Sequence, residues 1–372
     1  MKILKKKPID RNVYELALER VRRAYELFDH VAVSFSGGKD STVCLHVALE
    51  VAKDLDRLPL DVIFFDEEAI HPETVEYMRR VSLREDVSLR WFCLPVKHRN
   101  ACSRKSPYWH PWAPEDRHLW CRELPPEAIT DVPGFARQPI PELNGLLFSP
   151  SLGSVGIILG LRAAESLRRY RVVAHSVADN YISVDPEAQH VHLVKPVYDW
   201  TTEDVWTAPN LFGWDYNRTY DVFQRAGVSR HDQRVCPPFG EEPLRGLYQY
   251  ALCWPGLWDK MVARVPGANT AARYSRSPLY AFSDLPGWDP SDDPKALIER
   301  ALSRWPAEVR AQITERLNVE IRNHHRKTKA PIPVEEPGET GVTWKYLYQL
   351  AVRGDFKGRR TPQYAQDATT RY

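Results

Sequence analysis

His30-Val31-Ala32-Val33-Ser34-Phe35-Ser36-Gly37-Gly38-Lys39-Asp40-Ser41 decides how this chain is read. Its first half is short, apolar and β-branched, the composition of a strand buried in a parallel sheet. From Lys39 onward Val43, Leu45, Val47, Ala48 and Val51 recur at helical spacing. Between strand and helix, Ser36, Gly37 and Gly38 are small enough for backbone N–H groups to close on an anion. The dipole of the following helix adds to that attraction, Lys39 supplies a point charge, and Ser36 and Ser41 supply hydroxyl donors. A Walker A loop, GxxxxGK[ST], is excluded: Val33 stands where its first glycine belongs and Asp40 replaces the Ser or Thr.

Working outward, the same alternation repeats. Residues 12–29 predict an amphipathic helix ahead of the loop. Residues 61–65 (DVIFF) predict a second strand ending at Asp66, and His71-Pro72-Glu73-Thr74 opens a helix with proline at its first position. Residues 88–94, 155–161 and 191–197 predict three more strands, the last followed by Thr201-Thr202-Glu203-Asp204, a capping-box start. Strand alternating with helix gives an α/β fold with a doubly wound, mostly parallel sheet. Residues 95–150 break the alternation with ten prolines and with Trp109, Trp112 and Trp120, which predicts an ordered insertion. Beyond about residue 245 the strand signal fades, and 295–326 and 342–353 read as helices. The expected organisation is therefore an α/β nucleotide-binding domain over 1–245 and a helical C-terminal region over 246–372.

The string Ser36-Gly37-Gly38-Lys39-Asp40-Ser41 resembles the pyrophosphate loop (PP-loop) of the N-type ATP pyrophosphatases. Within that superfamily the chain resembles the phosphoadenosine phosphosulfate (PAPS) reductase-like family. Three further segments carry the resemblance: Phe64-Phe65-Asp66-Glu67-Glu68 with Pro72-Glu73-Thr74; Gly160-Leu161-Arg162-Ala163-Ala164-Glu165-Ser166-Leu167-Arg168-Arg169; and Lys195-Pro196-Val197-Tyr198-Asp199-Trp200 running into Thr201–Trp206. The resemblance implies an adenine nucleotide α-hydrolase-like fold. It implies that Ser34, Phe35, Ser36, Gly37, Gly38, Lys39, Asp40 and Ser41 form the phosphate site for ATP. Asp66 would meet ribose or Mg²⁺, and Glu67 would lie at the nucleotide pocket, where Glu67 and Glu68 replace the family's Thr-Gly. Gly160 would admit the nucleotide. Arg162 and Arg168 or Arg169 would bind an anionic group, with Glu165 orienting them. Lys39, Asp40, Arg162 and Arg168 would carry catalysis, and Asp40 and Asp66 would hold Mg²⁺. The reaction implied is attack of an acceptor on the α-phosphate, with AMP transferred and pyrophosphate released.

Two departures redirect that expectation. PAPS reductases use a tail cysteine, whereas here the last cysteine is Cys253. Relatives with iron–sulfur clusters carry sets of cysteines, whereas Cys236, in Arg234-Val235-Cys236-Pro237-Pro238, stands alone; a [4Fe–4S] cluster takes four thiolates. No iron–sulfur cluster is expected, and adenylyl transfer to an unknown acceptor is preferred. The alternatives are a PAPS- or APS-utilising reductase or sulfurtransferase, and a nucleotide-sensing regulatory protein without catalysis. Bacterial and phage members suggest, by analogy, a ParB-like partner.

The insertion brings Cys93, His98, Cys102, His110, His118 and Cys121 close in sequence, but with no CxxC or HxxxH pair, so zinc is not expected. Arg99, Arg104, Lys105, Arg117 and Arg122 interleave with Tyr108, Trp109, Trp112 and Trp120; either the rings stack on nucleic-acid bases or they pack as a cap over the nucleotide pocket. The formal net charge of +2 hides an asymmetry. Residues 321–372 hold ten Lys and Arg against five Asp and Glu, leaving 41 against 44 in the first 320. The clusters at 322–329 and 357–360 are the candidates for nucleic-acid phosphate, with a solvated helix end as the other reading. Six cysteines in 372 residues exclude a disulfide scaffold. Residues 1–8 lack the apolar stretch of a signal peptide and no run approaches a membrane span, so a cytoplasmic location is expected.

Overall fold

The computed structural model describes residues 9–103, 105–165, 169–170, 173, 181–230, 232–240, 243–274, 287–338 and 340–354. Helix α1 (Val13–Leu27) leads into β1 (His30–Ser34), then α2 (Lys39–Asp54), β2 (Leu60–Phe65), α3 (Pro72–Ser82) and β3 (Val87–Phe92). A two-residue hairpin follows, β4 (His98–Arg99) and β5 (Tyr108–Trp109). After it come β6 (Val155–Leu159), β7 (Ile182–Val184), β8 (Val191–Val194), α4 (Thr202–Phe212) and α5 (Thr219–Arg225). The main sheet has six strands in the order β3-β2-β1-β6-β8-β7. All neighbours in it are parallel except β7 and β8. The α/β, mostly parallel architecture expected from the alternation is present. The sequence reading missed β7, three residues long at the sheet edge, and the hairpin, because neither is long enough to show a period.

Side-chain alternation along the strands sorts the sheet into two faces. Val31, Val33, Val62, Phe64 and Val194 pack with Ala17 and Val21 of α1, Val43 and Val47 of α2, Met78 of α3 and Val205 of α4. Ala32, Ile63, Phe92, Ile157 and Val191 form the opposite face, and the residues packed there are Val132, Leu143 and Phe148. The second face is thus covered by the Pro/Trp-rich insertion. The insertion also lengthens the sheet: Ile129 bridges Phe92 in parallel, its N–H donating to Trp91 O (2.7 Å) and its carbonyl accepting from Cys93 N (2.9 Å).

The connection between strand and helix at 200–204 follows the sequence. Thr201 accepts from Asp204 N (3.1 Å) and Asp204 accepts from Thr201 N (2.7 Å), the reciprocal capping box. Asp199, in the third motif segment, pairs with Arg20 of α1 through two 2.7 Å bonds, and the Arg20 guanidinium lies 4.4 Å from the Tyr198 ring centre. Lys195 is buried and donates to Ser183 Oγ (2.7 Å); burial pushes its pKa down to about 8.

The chain divides into two compact units, one drawn from Met1–Cys102 and Tyr108–Arg273, the other from Ser103–Pro107 and Tyr274–Tyr372. The expected boundary at 245/246 falls inside the first unit, just ahead of α6 (Leu247–Cys253), with α7 (Pro255–Arg264) and α8 (Ala268–Tyr274) following. The second unit holds α9 (Pro294–Leu302), α10 (Ala307–Lys327) and α11 (Trp344–Arg353). Residues 295–326 are two helices rather than one. Pro306, which has no N–H to donate and disfavours helix at the residue before it, separates them. In the basic cluster at 322–329, His324 is buried and spent on structure, with Thr340 Oγ1 at 2.6 Å and Ala330 O at 2.9 Å. Arg322 pairs with Glu315 (2.6 Å), while His325, Arg326 and Lys329 are exposed. The 357–360 cluster lies outside the described residues. Among the described residues no helix is long and apolar enough to cross a membrane.

Candidate functional site

The strand order reverses between β1 and β6, since β2 flanks β1 on one side and β6 on the other. Open α/β sheets take their ligands at such a switch point, outside the carboxyl ends of the strands. The segment Phe35–Gly38 leaves β1 there, and Gly160–Arg162 leave β6 beside it. Gly37 has φ +70°, which favours glycine. A Cβ there would also sit 2.6 Å from Met78 Cε. Gly160 touches the backbone of the loop itself: a Cβ would lie 2.6 Å from Ser41 N and 2.7 Å from the Asp40 carbonyl carbon. Its small size lets the end of β6 close against the first turn of α2.

The loop is internally bonded. Ser36 Oγ and Ser41 Oγ are 3.0 Å apart, Ser36 N donates to Ser41 Oγ (3.2 Å), and Ser41 Oγ donates to Gly38 O (3.0 Å). The first-turn amides of α2 have no acceptor within the helix and face the crevice as a helix N-terminus does. Asp40 organises the cations. Its carboxylate pairs with Arg162 on one side and with Lys39 Nζ (3.2 Å) on the other. Arg162 is buried, and its Nη1 also meets Trp200 O (3.5 Å) and Thr202 Oγ1 (3.4 Å). Glu165 holds this turn by accepting from Arg162 N (3.1 Å) and by pairing with Arg169. Lys39, Asp40, Gly160, Arg162, Glu165 and Arg169 are therefore brought together. Arg168 lies outside the described residues. Ser34 ends β1, and Phe35 turns its ring into the core against Tyr77 (5.7 Å).

Asp66 and Glu67 stand at the carboxyl end of β2, but they differ. Asp66 is buried, and its carboxylate accepts from Trp91 Nε1 (2.8 Å), from Glu68 N (3.0 Å) and from Arg122. Glu68, with φ +60°, is fully buried too. It accepts from Trp112 N (2.7 Å), Cys121 N (3.0 Å) and Arg264 Nε (3.0 Å), and Arg264 also reaches Asp116 (2.9 Å) and His110 O (2.5 Å). This acidic knot ties the insertion and α7 to the end of β2. Glu68, one of the two residues standing where the family has Thr-Gly, is thus wholly engaged within the protein. Glu67 alone remains at the surface of the group, 2.9 Å from His98.

Two of the insertion's rings pack inside the protein. Trp109 and Trp112 are buried, Trp112 donates its Nε1–H to Asp66 O (2.7 Å), and Trp120 meets it edge-on at 5.2 Å. Cys93, Cys102 and Cys121 are buried, and burial pushes all three thiols up, Cys102 to about 12. No three His, Cys, Asp or Glu residues are placed to hold a metal ion among the described residues.

Three residues at the loop escaped the sequence reading because they come from the far side of the chain. Asn217 Nδ2 donates to Gly37 O (3.0 Å) and to Thr74 Oγ1 (2.8 Å). Tyr220 OH accepts from Lys39 N (2.8 Å). Val235 also approaches, 3.4 Å from the Cβ position of Gly38, which brings the exposed Cys236 segment to the loop.

Residues 30–131 match the family model described as the phosphoadenosine phosphosulfate reductase domain, and residues 227–334 match a second, described as a domain of unknown function (DUF3440). A protein of Escherichia coli (strain K12), described as "Uncharacterized protein YbdN", is 27% identical over 371 residues, covering 94% of this chain and 90% of that one. Among solved structures, the FMN adenylyltransferase of Candida glabrata is 14% identical at a TM-score of 0.32. That likeness covers 58% of this chain and 62% of the adenylyltransferase, so this chain spans about three fifths of its length. The PAPS reductase of Candida auris is 16% identical, with 59% and 94% covered and a TM-score of 0.32. The resemblance read from the loop motif thus has a family-model match over residues 30–131.

Proposed function

We propose that this chain binds ATP through Ser36–Ser41 and cleaves it to AMP and pyrophosphate, with the adenylyl group passing to an acceptor. The observation that carries this reading is the Lys39–Asp40–Arg162 arrangement at the β1/β6 switch point. Two cations share one carboxylate beside a helix N-terminus. A polyanion entering the crevice gains the Lys39 ammonium and the positive end of the α2 dipole without desolvating a new charge. In the proposed step an acceptor atom bonds to the α-phosphorus, the bond to the β-phosphate oxygen breaks, and pyrophosphate leaves with the charge that Lys39 and Arg162 offset.

Of the two carboxylates first considered for Mg²⁺, Asp66 has its oxygens engaged by Arg122, Trp91 and Glu68 N and does not fit. Asp40 does not fit either, its two oxygens pairing with Arg162 and Lys39, so a magnesium ion would be held by substrate phosphates and water. Such an ion supplies charge neutralisation on the triphosphate.

Mass spectrometry of nucleotides after incubation with ATP, Mg²⁺ and cell extract tests the reading; AMP and pyrophosphate are expected. Lys39→Ala should abolish their formation and weaken ATP binding, and unchanged ATP binding in that variant would overturn the loop assignment. The match of residues 30–131 to the PAPS reductase domain supports a second reading, use of a sulfonucleotide. Tighter calorimetric binding of PAPS than of ATP would favour it. A nucleotide-dependent partner interaction that needs no cleavage would favour a sensing role.

A further inference from the structure

Tyr220 is a buried phenol whose oxygen faces the phosphate loop. It is held there from three directions. Thr219, its neighbour at the start of α5, meets Thr74 Oγ1 at 3.2 Å, Asn217 grips Gly37 O, and Trp206 packs edge-on against the Tyr220 ring at 5.0 Å. The oxygen lies 3.7 Å from the Cβ position of Gly38. One of its lone pairs accepts from Lys39 N (2.8 Å). Its own hydrogen has no acceptor among the described residues. Buried hydroxyl donors are satisfied in folded proteins, so such a hydrogen marks a place where an acceptor is supplied from outside. Burial also pushes the phenol well above its ordinary pKa, so the proton is retained at neutral pH.

We propose that Tyr220 is a ligand of the bound anion, donating its O–H to a phosphoryl oxygen held by Ser36–Ser41. The proposal rests on the phosphate-loop reading above and extends it to a residue about 180 positions away in sequence. In this arrangement the hydroxyl relays between two partners. It takes the Lys39 N–H and gives its hydrogen to the ligand, so the loop amide polarises the phenol toward the anion.

The test uses the full chain, inorganic pyrophosphate as the probe and calorimetry as the readout. Tyr220→Phe keeps the ring against Trp206 and removes the hydroxyl; its pyrophosphate affinity should fall about tenfold, as expected for a charge-assisted bond. A second variant separates donation from support. Site-specific 3-fluorotyrosine at position 220 makes the hydroxyl a better donor and a poorer acceptor. Tighter pyrophosphate binding in that variant is expected if Tyr220 donates to the anion. Weaker binding there would mean that the hydroxyl only accepts from Lys39 N, and would overturn the proposal. Unchanged affinity in Tyr220→Phe alongside lost affinity in Lys39→Ala would overturn it while leaving the phosphate loop intact. Unchanged affinity in Lys39→Ala would remove the phosphate loop itself, and the proposal with it.

Discussion

Two carboxylate–arginine clusters stand at the carboxyl ends of neighbouring strands, and they are built to opposite ends. After β1, Asp40 holds Arg162 and Lys39, and Lys39 reaches the crevice. After β2, Asp66 and Glu68 hold Arg122 and Arg264, and the acidic side chains are wholly shut away from solvent. In the first cluster the positive charge outnumbers the negative at an opening, which suits an incoming anion. In the second the charges close on each other and on backbone N–H groups, which ties segments distant in sequence into one place. Buried ion pairs of this kind are costly to break from one side, because the remaining charge loses its partner.

The contrast can be broken from either side. Glu68→Gln leaves the buried Arg264 with only the partly exposed Asp116 as an ionic partner and should cost about 3 kcal/mol in urea-induced unfolding. An unchanged midpoint would make the knot no more structural than the loop. Lys39→Ala should change stability by less than about 0.5 kcal/mol yet weaken ATP binding by about 2–3 kcal/mol; calorimetry and unfolding on the same sample separate the two. His71 sharpens the comparison through pH. It begins α3 within the ring set of Tyr250 (4.5 Å) and Trp254 (4.4 Å), and burial pushes its pKa from 6.5 down to about 3. Its neutral form is favoured in the fold, so its stabilising share is whole above pH 6.5 and is lost as the pH falls toward 3. Between pH 7 and pH 5 that loss is about 2 kcal/mol. His46, pushed down to about 4, adds a second share. His71→Phe should remove roughly half of the acid sensitivity measured by unfolding at the two pH values. The smallest effect belongs to Thr201→Ala, which removes one arm of the α4 cap for about 1 kcal/mol and should leave pyrophosphate affinity unchanged.

The loop cluster was legible in the sequence because its parts are local. Ser36 to Ser41 are contiguous, and Arg162 sits in a short motif just past a strand. The five parallel strands were legible for the same reason, each being a run long enough to carry its own pattern. The knot was hidden because its partners are separated by long stretches of chain: Glu68 meets Trp112, Cys121 and Arg264. Nothing in their spacing signals the meeting. Asp66 looked like a ligand residue from its position at a strand end, and only its hydrogen bonds reveal that the carboxylate is spent. The break between α9 and α10 was visible in Pro306 but was overridden by the apolar periodicity on either side.

The underside of the sheet has a consequence for anyone wishing to shorten this protein. Residues 95–150 resemble a dispensable surface excursion, yet Val132, Leu143 and Phe148 are the lining beneath Ala32, Ile63 and Ile157. The same excursion supplies Arg122 to the rim above. A minimal version trimmed of that stretch would keep the complete Ser36–Ser41 loop and lose the floor on which it stands. It would present a bare apolar sheet to its neighbours and come out of solution as an aggregate.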